Sequence, residues 1–141
     1  MERERAEIQE MVDRETEAWD TQDITLLLSV FHPHMVWPWP PTSDDHDPID
    51  WVMVLGKFDQ QRWTRFYEQF FREHHLVHNE RRTIRIEVSD DGDGALAVVD
   101  IDTLWVDTRH VLKHWLGRVC KVYALTGSEW KMTMHTGALR Y

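Results

Sequence analysis

Cysteine is nearly absent from the sequence, since Cys120 is the only one, so no disulfide can form within the chain. Apolar runs are short, and none approaches the roughly 18–20 residues of a membrane-spanning helix. Basic residues are outnumbered 16 to 25 by acidic ones, and the formal net charge of −9 disfavours nucleic acid and anionic membranes as partners. The charged start, MERERAEIQE, is unlike a secretory signal. These features predict a soluble cytoplasmic protein.

Glycine-rich loops of the kind that hold nucleotide phosphates are also missing, so we expect no organic cofactor. No nucleophile motif stands beside a base, which argues against covalent catalysis. Neither a linker nor a repeat divides the chain, and its length fits a single domain over residues 1–141.

Tryptophan, in contrast, is abundant, with eight residues in the chain. A buried indole needs a partner for its N–H group, so interiors rich in tryptophan often border a pocket or an interface. Any single tryptophan is equally well explained as a core residue.

Three helices are predicted in the first half of the chain. Residues 4–20 have helical periodicity, and Asp23 can cap a short helix over residues 24–31. Asp59 is the expected N-cap of a third helix. The apolar face of the first helix contains Ile8, Met11, Val12, Glu15, Ala18 and Trp19, and the third helix carries the aromatic stripe Trp63, Phe66, Tyr67, Phe70 and Phe71.

The second half of the chain has the patterns of β-strands. Strands are predicted over residues 34–39, 83–89, 95–107, 111–125 and 129–136, and a further short strand over 51–56. The histidines after the third helix, His74, His75 and His78, are expected in solvent. Helices followed by antiparallel strands indicate an α+β domain.

Three stretches of this chain resemble the nuclear transport factor 2-like superfamily, which includes ketosteroid isomerase, SnoaL-like polyketide cyclases and the association domain of calcium/calmodulin-dependent kinase II. WDTQDITLLLSVFHPHMVW is similar to the start of those folds, and LGKFDQQRWTRFYEQFF to their third helix. The ending CKVYALTGSEWKMTMHTGA is similar to that of the kinase association domain. The resemblance implies a cone: a strongly bent antiparallel (mixed) β-sheet wrapped around three N-terminal helices, with an internal pocket.

Glu15 and Lys121 are the first candidates for catalysis. Glu15 interrupts the apolar face of the first helix, so its carboxylate is desolvated or paired, or else bends to solvent. The resemblance places Glu15 where ketosteroid isomerase has an oxyanion-hole tyrosine, and it places Lys121 at the pocket arginine of the kinase association domain. At the position of the isomerase's general-base aspartate, this chain has Trp39, so the resemblance does not imply the steroid-isomerase mechanism.

Strand alternation decides which residues of 95–125 enter the pocket. Around the turn at 108–110, the numbers of two residues that face each other across the strands add up to about 218. Asp100 therefore faces Arg118, and Thr103 faces Trp115. The resemblance puts the odd-numbered set, with Ile101, inside, and leaves an outer face with cross-strand ion pairs. A slip of one residue would instead make Asp100, Asp102, His114 and Arg118 the active site.

His135 and Thr133 fall on the inward side of the last strand by the same resemblance. Histidine is the commonest acid–base residue at neutral pH, although a core histidine bonded to a carbonyl explains His135 equally well.

Metal binding is not expected. His32 and His34 supply two ligands where zinc needs three or four, and Pro33 between them disturbs a regular strand. The acidic stretch 44–47, with His46, is expected to be a solvated lid, and metal binding there stays open as the weaker alternative.

The sequence thus predicts a small-molecule pocket protein that acts as a cofactor-independent acid–base enzyme, a dehydratase, isomerase or cyclase, on a flat, partly aromatic substrate. A homodimer formed through the outer sheet face is also expected. The alternative is a non-catalytic ligand-binding or oligomerisation domain. Glu15, His135 and Lys121 are the expected catalytic residues, and the expected substrate-binding residues are Trp19, Trp39, Tyr67, Ile101, Thr103, Trp105, Trp115, Tyr123 and Thr133.

Overall fold

A computed structural model describes residues 1–140. Its elements in chain order are α1 (Glu2–Thr21), α2 (Ile24–Ser29), β1 (Phe31–Val36), a 3₁₀ turn (Pro48–Asp50), α3 (Gln60–Glu73), β2 (His74–Val88), β3 (Gly94–Asp107), β4 (Leu112–Thr126) and β5 (Glu129–Leu139). The predicted α+β class, with three helices and a mixed sheet, is confirmed. No helix within residues 1–140 is both long enough and apolar enough to cross a membrane.

The five strands form one open sheet in the order β1-β5-β4-β3-β2. Strands β2 to β5 are antiparallel neighbours, whereas β1 pairs with β5 in parallel. The helices pack against one face, with α1 lying mainly against β2. This packing brings the apolar face of α1 next to the middle of the longest strands, where the core lies.

Local sequence signals explain the helix boundaries. Asp23 and Asp59 cap α2 and α3, because their side chains accept hydrogen bonds from the backbone N–H groups of Leu26 and Arg62. Helix α1 ends at Gln22, which adopts a left-handed conformation with φ of 54°. The predicted apolar face of α1 is buried as a whole, Glu15 included.

Three boundaries differ from the sequence-based prediction. Strand β1 starts at residue 31 rather than 34, because the chain runs into it directly after α2. Residues 51–56 form no strand and contribute one isolated bridge, between Val52 and Trp39. Strand β2 begins at His74 with no turn after α3, so His74 is buried rather than solvated.

The predicted register of β3 and β4 is confirmed. Asp100 pairs with Arg118 and Thr103 with Trp115, and the odd-numbered side chains of both strands face the helices. Asp100 and Arg118 accordingly form an ion pair on the outer face, with 2.6 Å between Oδ1 and Nε.

Strands β4 and β5 approach each other very closely near the site. A Cβ atom at Gly137 would lie 2.4 Å from the carbonyl oxygen of Arg118, closer than real atoms come. Glycine therefore permits this approach two residues after His135.

Candidate functional site

A cavity lined largely by aromatic rings, called the slot below, lies between the helices and the inner face of the sheet. Its volume is about 610 Å³ with the mouth included. It is lined by Trp19, Trp37, Trp39, Pro40, Trp51, Phe70, Arg81, Ile101, Thr103, Trp105, Trp115, Val119, His135 and Leu139.

Aromatic rings form most of the wall. Trp37 stacks on His135 with 4.1 Å between ring centroids, and on its other neighbour Trp39 with 5.7 Å. Phe70 meets Trp105 edge to face at 5.1 Å. Such contacts hold the rings in fixed orientations, so the slot is largely preformed.

A loop closes the rim of this slot. The indole N–H of Trp51 donates to the carbonyl of Asp45 over 2.7 Å, and the carbonyl of His46 accepts from Leu139 N–H over 3.0 Å. These bonds tie the acidic 41–50 segment to residues that line the cavity.

A buried ionic network lies beneath the slot, centred on Glu15. The carboxylate accepts hydrogen bonds from Lys121 Nζ at 2.7 Å, Trp19 Nε1 at 2.9 Å and Arg81 Nη1 at 3.3 Å. Glu15 and Lys121 are fully buried, while about a tenth of the Arg81 side chain is exposed. Arg81 is further oriented by Asn79, whose Oδ1 accepts from Nε over 2.9 Å.

The charges of this network determine its protonation. Burial raises the pKa of Glu15, but Lys121 and Arg81 outweigh burial and lower it to about 2. Burial lowers the pKa of Lys121 to about 8, although Glu15 opposes that change. Both groups are therefore ionised at neutral pH, and the pair carries two charges held out of water.

His135 differs from this network because it faces the cavity and is neutral. Burial, and then the charge of Lys121, lower its pKa well below 6.5. Its Nδ1 atom is buried and has no hydrogen-bond partner within residues 1–140. A neutral imidazole with a free nitrogen is able to accept a proton from a bound molecule.

The predicted site residues fall into three groups. Lining the cavity are Trp19, Trp39, Ile101, Thr103, Trp105, Trp115 and His135. Glu15, Lys121, Tyr67 and Tyr123 are buried but do not line it. The two tyrosine hydroxyls find no partner within residues 1–140, and burial followed by the charge of Glu15 raises the pKa of each. Thr133 lies away from the cavity, and its hydroxyl donates to the carbonyl of Val122.

Arg81 is the most important lining residue that the sequence did not reveal. A bulge between Thr83 and Arg85 shifts the alternation of β2, leaving Ile84 unpaired. Ile86 faces inward after the bulge, and Arg81 faces inward before it, opposite Ile101. Unbroken alternation from Ile86 would have put Arg81 outside. Trp37 and Phe70 also line the cavity. These two could have been predicted, because both belong to aromatic patterns visible in the sequence.

The fold is shared with solved structures of low sequence identity. A proposed aromatic ring hydroxylase from Novosphingobium aromaticivorans is 20% identical, with a TM-score of 0.72 over 100% of this chain and 92% of the other. A proposed dehydratase of the nuclear transport factor 2-like family from Streptomyces avermitilis is 16% identical, with a TM-score of 0.69 over 100% and 99%. A proposed calcium/calmodulin-dependent kinase II association domain from Exiguobacterium sibiricum is 9% identical, with a TM-score of 0.67 over 97% and 93%.

These structures show that the chain has the fold of the nuclear transport factor 2-like superfamily, as the sequence motifs predicted. No protein-family model and no curated protein matches the sequence. Because these neighbours include both proposed enzymes and an association domain, function has to be argued from the site.

Proposed function

We propose that the protein is a cytoplasmic, cofactor-independent acid–base enzyme that acts on a flat, partly aromatic small molecule, with His135 as the base. The observation that carries this proposal is the free, neutral imidazole of His135 in the wall of an aromatic slot. A base of this kind takes a proton from carbon and returns it to another atom, as isomerases, dehydratases and cyclases require.

The shape of the slot supports the proposed substrate class. Its walls are mainly tryptophan and phenylalanine rings. Flat ring systems stack favourably on such faces. The indole N–H of Trp39 is buried without a partner within residues 1–140, so it is available to one acceptor on the ligand.

Arg81 supports a negative oxygen on the ligand in this proposal. It lines the cavity, and Glu15 and Asn79 hold its guanidinium in place. When a base removes a proton next to a carbonyl group, charge develops on the oxygen, and a fixed cation stabilises that charge in a dry site. Glu15 and Lys121 then act as positioning residues that keep Arg81 and the pocket floor in place.

Ligand affinity tests the pocket. 2-Naphthoate and its neutral analogue 2-naphthamide are expected to quench the tryptophan fluorescence of the protein saturably, with the anion binding more tightly. The Arg81→Met variant should lose this preference, because the two probes have nearly the same shape. Trp39→Leu should weaken both probes equally and leaves the ionic network intact, so it separates loss of fit from loss of charge. Absence of saturable quenching by either probe would contradict the proposal.

The association-domain alternative is favoured by one observation, the apolar outer face of the sheet. Leu96, Leu112, Leu116 and Met134 are each 38–62% exposed there. Several exposed apolar side chains on one face often mark a protein interface. We infer that a second copy of the chain covers it, which is compatible with an enzymatic pocket on the other face.

Light scattering tests this homodimer. We expect twice the chain mass of 17.0 kDa at micromolar concentration. Leu112→Lys with Leu116→Lys should give monomers, because burying two charges against an apolar face is costly. Ile49→Lys is the matched control, since Ile49 is 84% exposed on the 3₁₀ turn and its replacement should leave the dimer intact. A wild-type monomer would remove the inference.

A further inference from the structure

The outer face of the sheet carries a group of two histidines and one aspartate that the pocket does not involve. Oδ1 of Asp102 lies 2.8 Å from Nε2 of His78 and 2.6 Å from Nε2 of His114. The three side chains come from three adjacent strands, β2, β3 and β4. His78 and His114 both pair with Leu104, and Asp102 is two residues away on the same face.

This arrangement has the ligand types and spacing of a transition-metal site. Imidazole nitrogen and carboxylate oxygen bind Zn²⁺ at about 2.0–2.2 Å, so tetrahedral ligands are separated by roughly 3.3 Å. The three candidate ligand atoms already lie within 4.8 Å of one another. Lengthening the two His–Asp distances by roughly half an ångström would make room for the ion. Side-chain rotation alone provides this change.

We propose that His78, Asp102 and His114 form a binding site for one divalent transition-metal ion of the Zn²⁺ type, on the face of the sheet opposite the pocket. Three protein ligands leave at least one coordination position for water or another ligand. In the single chain these side chains are 39%, 36% and 46% exposed, so an ion reaches them there without any opening of the fold.

The surroundings support this assignment. Glu80 pairs with Asp102 across β2 and β3 on the same face and adds negative charge beside the site. The nearest cations in register, Arg82 and Arg118, are held by Asp100, which accepts hydrogen bonds from both. The chain supplies all three ligands by itself. Because Leu116 lies in register with Asp102, the proposed homodimer would shield a bound ion but would supply no ligand to it.

Metal binding at this site changes the tautomers of both histidines, and that change is measurable. An ionised carboxylate only accepts hydrogen bonds, so without metal both rings present Nε2–H to Asp102. A metal bound at Nε2 moves the ring proton to Nδ1. We therefore expect ¹⁵N NMR of the imidazoles to show two histidines switching tautomer when one equivalent of Zn²⁺ is added to the full chain.

Titration with Zn²⁺ alone, followed by calorimetry, provides the quantitative test. Wild type should bind one ion with micromolar affinity or better. His78→Ala with His114→Ala should weaken binding by about a hundredfold or more, because loss of a ligand costs more than the 10–100-fold typical of outer-shell partners. Asp102→Asn keeps the shape of the side chain and should also weaken binding. It therefore tests the site even if the double variant folds poorly.

The chain offers a matched control pair. His32 and His34 are also two close histidines on the sheet, with ring centroids 5.7 Å apart, but no carboxylate among residues 1–140 joins them in such a cluster. His32→Ala with His34→Ala removes the same number of histidines and should leave Zn²⁺ affinity unchanged. Binding that survives the His78/His114 change, binding that is lost in the control pair, or no saturable binding in wild type would each overturn the proposal.

Discussion

Replacement of Glu15 by leucine is expected to lower the free energy of unfolding by about 3–5 kcal/mol. The variant leaves Lys121 fully buried without its carboxylate partner and removes the acceptor of Arg81 and Trp19. Lys121→Met should cost a similar amount, because the buried Glu15 carboxylate then keeps only the hydrogen bond from Trp19 and the longer one from Arg81. Chemical denaturation of each variant at pH 7 measures both effects.

The double variant Glu15→Leu with Lys121→Met distinguishes an ion pair from simple loss of packing. Apolar residues of similar volume often replace a buried pair at little cost, so the double variant should be more stable than either single one. Glu10→Leu is the control on the exposed side of α1 and should change stability by about 0.5 kcal/mol or less. Additive losses in the double variant would contradict the paired, ionised state assigned to Glu15.

Replacement of His135 by glutamine is expected to slow proton transfer by about 10²–10⁴-fold. Glutamine is similar in size and forms hydrogen bonds but cannot take up a proton at neutral pH. 2-Tetralone is a suitable probe because it is flat and partly aromatic and has acidic C–H bonds. Wild type should accelerate its deuterium uptake from D₂O, followed by NMR. The variant should lose nearly all of this acceleration, while its affinity for the probe should change little.

The control for this prediction is His74→Gln, which changes another buried histidine. His74 stacks on Phe70 at 4.0 Å but does not line the slot, so its replacement should leave deuterium uptake intact. Equal rates in wild type and His135→Gln would exclude His135 as the base. An equal loss in both variants would indicate a general effect on folding.

Most of the architecture was predictable because its signals are local and periodic. The buried face of α1 follows from the 3.6-residue period, and two aspartate caps fix the starts of α2 and α3. The register of β3 and β4 follows from a single short turn, because all later pairs are counted from it.

The remaining features depend on interactions that no local pattern records. Strand β2 begins directly after α3, where no glycine or proline marks the change at Glu73 and His74, so the strand was predicted nine residues too late. The bulge near Ile84 reverses which side of β2 faces the pocket, and this concealed Arg81. The charge state of Glu15 also depends on this missed residue, together with Lys121.

The pH dependence of stability follows from the same burial of His135. Its pKa is lowered on folding, so its neutral form gives stability that is complete above about pH 6.5 and is lost as pH falls from there toward the folded pKa. Within that window, the unfolded chain binds the additional proton.

The protonation state of His135 tests the central claim most directly, because a base in the slot must be neutral. ¹⁵N NMR of imidazole-labelled protein between pH 8 and 4 reports it, with His135→Gln to assign the signal among the nine histidines. We predict that His135 remains neutral well below pH 6.5. A His135 signal that titrates at pH 6.5 or above would contradict the proposed site.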